Sequence, residues 1–488
     1  MTLRSALYHT LLRRSLSRFT GRSSLTREAR TTALIVASAL MMEQLDSTVL
    51  ATALPAMARS FHSDPLHLSV ALTSYRVSLA VLIPASGRVA DRFGSRTVFR
   101  AAIILFTTGS ILCAVSHSLG FLVGARLLQG AGGAMMVPVG RLVLMRSVEK
   151  SELVTAMFWL LMPATIGPLL GPPVGGLITT YLSWRWIFII NVPIGLLGIA
   201  LTTRFIPQMR EAVRLPFDGL GMVLSGTSLA CLVFGLELAS RGAGRRLVTA
   251  ATLVAGLVSG GLYLRHARRI PAPILDFTLM RIDTFRLSIL SGSATRIVVG
   301  ATPFLVPSML QLGFGLTAAQ SGLITFTGTI GAFLMRLMAK RVLRTFGYRT
   351  IMSANAFSAA LLTLACALFR PGWPFWVLSL ILFLGGFANS LQFTSLNTLA
   401  YADIPSERMS AATSFYTTFQ QLTLTIGISV AAAAVSASEA LAGHHQVALT
   451  DFSVAFLTVG LISMLAVPSA LRMPADAGAE LSGHRVRA

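Results

Sequence analysis

The 488-residue chain consists largely of apolar stretches of about 20 residues, separated by short polar segments. Such long runs without alternation indicate membrane-spanning helices, because lipid admits only helices and closed barrels and barrel strands alternate. Proline interrupts two of the runs, 152–180 and 285–310, which are candidates for broken helices. The pattern predicts an all-α membrane protein with spans at 31–56, 66–86, 97–117, 119–145, 152–180, 186–206, 218–240, 247–264, 285–310, 317–338, 350–369, 373–397, 409–435 and 451–471.

Composition supports this assignment, with 54% hydrophobic and only 12% charged residues. The net charge of +22 comes from 40 Lys and Arg, of which 31 fall on one side of the predicted membrane, 6 on the other and 3 inside spans. Because basic loops stay in the cytoplasm, this bias predicts both termini inside and an even number of spans in a plasma membrane. The basic residues are scattered over short loops, which favours orientation in the membrane over nucleic-acid binding.

A short internal repeat suggests a duplicated architecture. Residues 87–96 and 340–349 share a basic, glycine-containing pattern at a constant offset and follow spans 2 and 10. Duplicated bundles around a central site are typical of secondary transporters. The chain is therefore divided into a basic cytoplasmic tail, a six-helix bundle, a two-helix insert with flanking loops, a second six-helix bundle and a second cytoplasmic tail. These parts cover 1–30, 31–206, 207–270, 271–471 and 472–488.

Four motifs in the first half resemble the major facilitator superfamily, in its fourteen-span drug:proton antiporter branch. They lie at 45–55 in span 1, 87–96 after span 2, 126–133 in span 4 and 167–176 in span 5. A closer likeness to one member of the family comes from segments of the second half, at 266–269, 294–296, 303–311 and 392–397. The resemblance implies a bacterial inner-membrane exporter that uses the inward movement of protons.

Segment 87–96 is predicted to be a loop in which Gly87 and Gly94 allow tight turns. The resemblance assigns Asp91 to a gate, in contact with a helix amino terminus of the other bundle, where exposed N–H groups favour a carboxylate. Arg92 and Arg96 are interpreted either as gate partners or as anchors at the inner surface.

Span 5 carries a stripe of glycines that recurs every four residues and permits close approach of helices. Prolines beside the stripe can bend the helix. The resemblance implies a bendable interface for antiport, and a static packing groove is the alternative. The residues concerned are Gly167, Pro168, Gly171, Pro172, Gly175 and Gly176.

Ionisable residues inside spans are the strongest candidates for function, because each costs about 2.5–3.5 kcal/mol when it faces lipid. They are expected to form one polar layer in a central cavity to which both bundles contribute. The candidates are Glu43, Asp46, Arg76, Arg126 and Arg296. From the helix rise, Asp46 lies about 22 Å from the cytoplasmic start of its span and Arg126 about 10 Å from the outer start, which are nearly equal depths.

Asp46 and Arg126 are the candidates for proton coupling, and Glu43 is a second candidate carrier. The family resemblance gives the first two positions the same role. A static ion pair that holds helices together is the alternative. In span 12, Gln392, Thr394 and Asn397 are interpreted either as substrate contacts or as polar packing between helices.

The predicted function is proton-coupled export of small molecules by alternating access, with the chain acting as a monomer. Transport of an organic anion, such as a carboxylate or its metal chelate, is an alternative because three Arg outnumber two acids in the layer. A sensor that does not transport is the third. No nucleophile–base pair, metal cluster or phosphate loop is found in the sequence, so neither an enzyme nor a cofactor is expected.

The predicted topology is testable with alkaline phosphatase fusions, which are active only outside the cytoplasm. Fusions after His62 and Ala243 should be active, and fusions after Val148 and Ala272 inactive. Ala243 lies between spans 7 and 8, so an inactive fusion there, at normal expression, would contradict the two-helix insert.

Overall fold

The computed structural model describes residues 27–63, 65–147, 153–208, 218–239, 246–271, 273–346, 348–405, 408–443 and 447–471. The predicted tails at 1–26 and 472–488 lie outside the described residues. Within the described ranges the chain is helical, as the long apolar runs predict. Short turns and 3₁₀ segments, Pro65–Leu68 and Phe277–Arg281 among them, connect the helices.

The helices of the first half are α1 (Arg27–Ser60), α2 (Ser69–Leu82), α3 (Ser86–Phe93), α4 (Ser95–Ala114), α5 (Leu119–Ser147), α6 (Leu153–Tyr181), α7 (Trp186–Ile189) and α8 (Asn191–Phe205). The predicted insert contains α9 (Gly219–Ala239) and α10 (Arg246–Ala267). The second half contains α11 (Asp283–Ser308), α12 (Ala318–Phe346), α13 (Tyr348–Cys366), α14 (Phe375–Leu399), α15 (Met409–Ala442), α16 (Leu449–Met464) and α17 (Ala466–Leu471).

Twelve helical segments of the described chain are long and apolar enough to cross a membrane. Two more helices, α6 and α13, coincide with the predicted spans at 152–180 and 350–369 but are not among those twelve. The chain is thus an all-helical protein with multiple membrane-length helices. The count of fourteen spans stays a prediction.

The two proline-containing spans behave differently. Helix α6 continues from Leu153 to Tyr181 without a break, so the expectation of a broken helix is wrong there. Helix α11 continues past Pro303 and Pro307 but then widens into a π-helical turn, Met309–Gly313. Proline has no N–H to donate, and a π turn absorbs the resulting mismatch in the hydrogen-bond ladder.

Segment 87–96 is mostly helix, which corrects the predicted loop. Gly87, Asp91 and Arg92 lie in α3, and only Gly94, with φ of 91°, forms the break before α4. A side chain at Gly94 would also collide with Gln208. The turn role predicted for Gly87 is therefore wrong, and the reason is that α2 continues into α3 through the 3₁₀ turn Ile83–Ala85.

The glycine stripe of α6 divides between two neighbours. Gly167, Gly171 and Gly175 pack against α1, in the same half of the chain, at Met41, Thr48 and Thr52. Gly176 faces the second half instead, where an added Cβ would lie 2.5 Å from the carbonyl oxygen of Ala318. The contact between the halves along α6 therefore depends on Gly176, with Gly322 of α12 packed against Pro172.

The halves meet mainly through three helix pairs, namely α6 with α12, α2 with α15, and α1 with α11, and α1 also touches α12. Hydrogen bonds join two of these pairs near the end of the molecule that carries the α1–α2 connection. The Gln311 side chain donates to the Thr52 carbonyl at 3.0 Å, and the Ala319 N–H donates to Thr180 Oγ1 at 2.9 Å. This end, the predicted outer face, is where α1 and α6 of the first half meet the second half.

Helices α9 and α10 pack against each other, and α9 also packs against α2 and α15. Just before the first residue of α9, Asp218 accepts hydrogen bonds from the Gly221 N–H at 2.8 Å and from His266 of α10 at 2.7 Å.

A second ion pair lies between the segment that follows α10 and the start of α15. Arg408 donates to Asp276 at 2.6 Å. Burial opposes ionisation of Asp276, but hydrogen bonds from Thr278 and Arg408 outweigh it and lower the pKa of this carboxyl below its usual value.

Adjacent glycines in α14 give a test of how closely the helices of the second half pack. A Cβ at Gly386 would collide with the carbonyl oxygen of Gly328 in α12, whereas one at Gly385 would meet only Leu362 at 4.0 Å. Gly386→Ala is expected to reduce the free energy of unfolding by about 1–3 kcal/mol. Thermal unfolding of the detergent-solubilised protein measures this, and Gly385→Ala is the control. Equal melting temperatures for the two variants would contradict the packing.

Candidate proton and substrate site

An ion pair lies inside the first half, between α1 and α5. Arg126 Nη1 donates to Asp46 Oδ2 at 2.6 Å, and both side chains are almost fully buried, at 0–1% exposure. The Arg126 Nε group donates to the carbonyl oxygen of Ala71 in α2 at 3.1 Å. The guanidinium carbon also lies 4.3 Å from the centre of the Tyr75 ring. The charge of Arg126 is thereby balanced by a carboxylate, a carbonyl oxygen and an aromatic face.

Two amides, one from α5 itself and one from α8, complete this network. The Gln129 amide donates to Asp46 Oδ1 at 2.8 Å, and the Asn191 amide of α8 donates to the same oxygen at 3.0 Å. Both amides also donate to Ser110 Oγ in α4. Gln129 in turn accepts from Arg126 at 2.6 Å. Asp46 is therefore bonded directly to α5 and α8, and through the side chains of those helices to α2 and α4. Its position depends on how these helices are arranged.

Glu43 lies one helical turn from Asp46 and is also buried, at 4% exposure. Its Oε1 accepts a hydrogen bond from the Tyr75 hydroxyl at 3.1 Å, while Oε2 has no hydrogen-bond partner among the described residues. Tyr75 thus contacts Glu43 through its hydroxyl and Arg126 through its ring face. Arg76 is the next residue of α2 and is partly exposed.

Arg296 does not join this group. It lies in α11, 1% exposed, and donates to the Tyr416 hydroxyl of α15 while its guanidinium stacks on the Tyr416 ring at 4.6 Å. The expected single layer of charges in one central cavity is therefore wrong. Depth along the helix axis does not specify the direction in which a side chain points around that axis. Each half encloses its own buried guanidinium.

The cavity between the halves is lined by other residues. It has a volume of about 310 Å³ and lies among α1 and α6 of the first half and α11, α12, α13, α14 and α16 of the second. Six threonines, two prolines of α6 and apolar side chains form much of its wall. The threonines are Thr48, Thr52, Thr302, Thr325, Thr329 and Thr363, and the prolines of α6 are Pro168 and Pro172.

Arg336 of α12 is the one charged side chain among the described residues that line this cavity. Asn389 and Ser390 of α14 lie in the same wall. The charge bias places Arg336 among the basic residues of the cytoplasmic side. Its position within the predicted span 317–338 is the sequence signal for a place in the cavity wall.

Two predicted residues of α14 lie away from the cavity. Gln392 is buried, and its Oε1 accepts from the Asn355 side chain of α13 at 3.2 Å. Asn397 is half-buried farther along the same helix. For Gln392 this geometry matches polar packing between helices, the second of the two interpretations.

Several polar residues of the interior were not selected from the sequence. Gln129 lies three residues after Arg126 and therefore on the same helix face, which is a usable signal. Asn191 is an isolated amide in an apolar span, and Glu237 is an acid inside the predicted span 218–240, so both carried a usable signal. Ser110 and Tyr75 gave no such signal, because hydroxyl groups are common in membrane helices.

Comparison with known proteins identifies the family of this chain. Residues 36–428 match the Major Facilitator Superfamily. The chain is 39% identical over 449 residues to a protein of Escherichia coli (strain K12) that bears the name multidrug resistance protein MdtD, covering 91% of this chain and 94% of the relative. A protein of the same name from Citrobacter koseri is 37% identical over 446 residues, with the same coverage. The likeness of the second-half segments to one family member, MdtD, is thus confirmed.

Solved structures show the same fold at low identity. A D-xylose-proton symporter matches with a TM-score of 0.67 and 16% identity, covering 92% of this chain and 98% of that one. The nucleoside transporter NupG matches with a TM-score of 0.63 and 15% identity, over 91% and 98% of the two chains. The family match, the bacterial relatives and the membrane-length helices fit an inner-membrane transporter and not an enzyme. This chain belongs to the major facilitator superfamily.

Proposed function

We propose that the chain exports small molecules in exchange for protons, by alternating access of two six-helix bundles about the central cavity. The single observation that carries this proposal is the buried Asp46–Arg126 pair within hydrogen-bond reach of four helices. A proton on Asp46 would remove the charge that holds Arg126, Gln129 and Asn191. Charge-assisted hydrogen bonds are about twice as strong as neutral ones, so this single event would rearrange contacts among all these helices.

The substrate would occupy the cavity, which α1 and α6 share with the second half. Asp46 and the cavity residue Thr48 lie two residues apart on α1, so a shift of α1 would reach both. Glu43 is a second proton carrier in this proposal, linked to Arg126 through Tyr75. Asp91, Arg92 and Arg96 keep their proposed gate role at the cytoplasmic end, where Arg96 donates to the Ile206 carbonyl.

The remaining parts of the proposal concern topology. Both termini lie in the cytoplasm of a bacterial cell, α9 and α10 form an insert between the bundles, and the chain acts as a monomer. The insert is supported by the packing of α9 against α2 of the first half and α15 of the second. The names of the relatives support drugs as the substrate class.

Asp46→Asn tests proton coupling. The amide keeps the shape of the side chain but carries no titratable charge, so export driven by a pH gradient is expected to fall to the background of empty vesicles. Proteoliposomes with a trapped pH dye measure proton flux when ethidium or salicylate is added. Asp283→Asn, at an exposed acid of α11, is the matched control. Proton flux in Asp46→Asn protein equal to that of the unsubstituted protein would refute the assignment. If the unsubstituted protein itself shows no proton flux with any compound tested, the sensor alternative is favoured.

An organic anion is the second candidate substrate, and Arg336 is the observation that favours it. A guanidinium without a carboxylate in the described cavity wall suits a carboxylate ligand, which it can bind with two hydrogen bonds. Under this proposal the same fold would release or import an acid, or a metal chelate of one. A lipophilic cation favours aromatic side chains around it, and the described cavity wall contains two of them, Phe393 and Phe456.

Arg336→Gln separates the two substrate classes. Loss of a charged hydrogen bond costs about 1.5–3 kcal/mol, so the KM for salicylate is expected to rise about tenfold or more while that for ethidium stays unchanged. Arg341→Gln, one and a half turns farther along α12 and outside the cavity wall, is the control. An unchanged salicylate KM would exclude a substrate-binding role for Arg336 with this anion.

A further inference from the structure

A buried carboxylate in the insert joins both halves of the molecule. Glu237 lies two residues before the end of α9 and is 2% exposed. Its Oε1 accepts from Ser69 Oγ of α2 at 2.6 Å. Its Oε2 accepts from Thr73 Oγ1, one turn farther along α2, at 3.4 Å and from Ser429 Oγ of α15 at 3.3 Å. One side chain of the insert thus binds a helix from each half.

These four residues are called the Glu237 node: Ser69, Thr73, Glu237 and Ser429. By chain order, the node lies toward the predicted outer face, since Ser69 begins α2 and Glu237 ends α9. It occupies the contact between α2 and α15, where the halves must separate during alternating access. The node is separate from the Asp46–Arg126 network, which lies wholly within the first half.

An acid inside a membrane protein needs a physical reason, because an ionised carboxylate there is expensive. In the Glu237 node, three hydroxyl donors satisfy much of the acceptor capacity of the two oxygens. A proton on Glu237 would remove the charge from all three hydrogen bonds and turn one acceptor oxygen into a donor. The node would then hold α9, α2 and α15 together less strongly.

The helices packed against α9 carry other charged and titratable residues, which define the setting. On α2, Arg76 lies one turn beyond Thr73, and Tyr75 contacts Glu43 and Arg126. On α15, Glu439 lies ten residues beyond Ser429. The remaining such residues on α10 and α15 are Arg246 at the start of α10 and, toward the opposite face, Tyr263, Arg265, His266 and Tyr416.

We propose that Glu237 is a second proton-exchange site, at which a proton arriving from the outer face releases the contact between α2 and α15 and permits outward opening. This inference rests on the proposed function, because it assigns the entry point of the proton that drives export. It gives the two-helix insert a specific task, which is to carry the carboxylate that bridges the halves.

The test measures opening directly by electron–electron distance between spin labels, without substrate. Labels at Ser60 and Gly372 lie in exposed positions near the predicted outer ends of the two halves, and a side chain at Gly372 meets open space. Cys113, Cys231 and Cys366 are first replaced by alanine. The purified full chain is studied in nanodiscs between pH 8 and pH 5.

The ratio of open to closed molecules is expected to rise as the pH falls, by about fivefold or more, the lower end of typical coupling between sites. In Glu237→Gln protein, which mimics the protonated acid, the ratio is expected to be high at pH 8 and insensitive to pH. Glu237→Asp keeps the titration, and Glu439→Gln, outside the node, is expected to behave as the unsubstituted protein. A pH response in Glu237→Gln equal to that of the unsubstituted protein, or no response in the latter, would overturn the proposal.

Ser429→Ala provides an independent variant should Glu237→Gln fail to fold. Removing this hydroxyl deletes the link to α15 and leaves the carboxylate on α2, so the open fraction at pH 8 is expected to increase. An unchanged open fraction would contradict the proposal that the Glu237 node holds α2 and α15 together. The outcome is distinguishable from failure of the proposed function, because spin-label distances report opening even in a protein that moves no protons in proteoliposomes.

Discussion

The pairing of Asp46 with Arg126 inside the membrane region is the interaction on which the interpretation of this molecule depends. Removing either partner from a buried ion pair leaves an uncompensated charge, which typically costs about 3–5 kcal/mol. The first half surrounds the pair with Gln129, Asn191 and a backbone carbonyl, so four helices contribute to one electrostatic environment. A change in the charge of Asp46 would therefore act on the whole half and not on one contact.

The second half stabilises its buried guanidinium in a different way. Arg296 has no carboxylate partner among the described residues and instead uses the hydroxyl and ring of Tyr416. The Arg296 guanidinium is thus not paired with an acid whose protonation could change its surroundings. The two halves are therefore electrostatically unequal despite their similar architecture. The asymmetry supports placing proton chemistry in the first half and in the insert, with substrate contacts from α11 to α14 in the second half.

Close helix packing connects these sites mechanically. Carbonyl oxygens of one helix lie against glycines of another along α6 and α12 and along α12 and α14, so these helices cannot shift independently. The Glu237 node and the Gln311–Thr52 hydrogen bond lie across the other contacts between halves. Opening at the predicted outer face must therefore break these polar contacts and separate the glycine contact between α6 and α12, while the glycine contact between α12 and α14, within the second half, can persist.

The sequence alone was sufficient to predict the all-helical fold and the family. It also predicted the position of each long helix to within a few residues, except where α3, α12 and α15 extend past the predicted spans. Apolar run length and periodicity depend only on neighbouring residues in the chain. It also selected Asp46 and Arg126, because charge inside an apolar run is visible without coordinates. The rotation of each helix about its axis depends on packing against distant residues. Only the tertiary structure could therefore separate Arg296 from the first-half network, turn the α6 glycines toward α1, place Arg336 in the cavity wall and place Glu237 at the contact between α2 and α15.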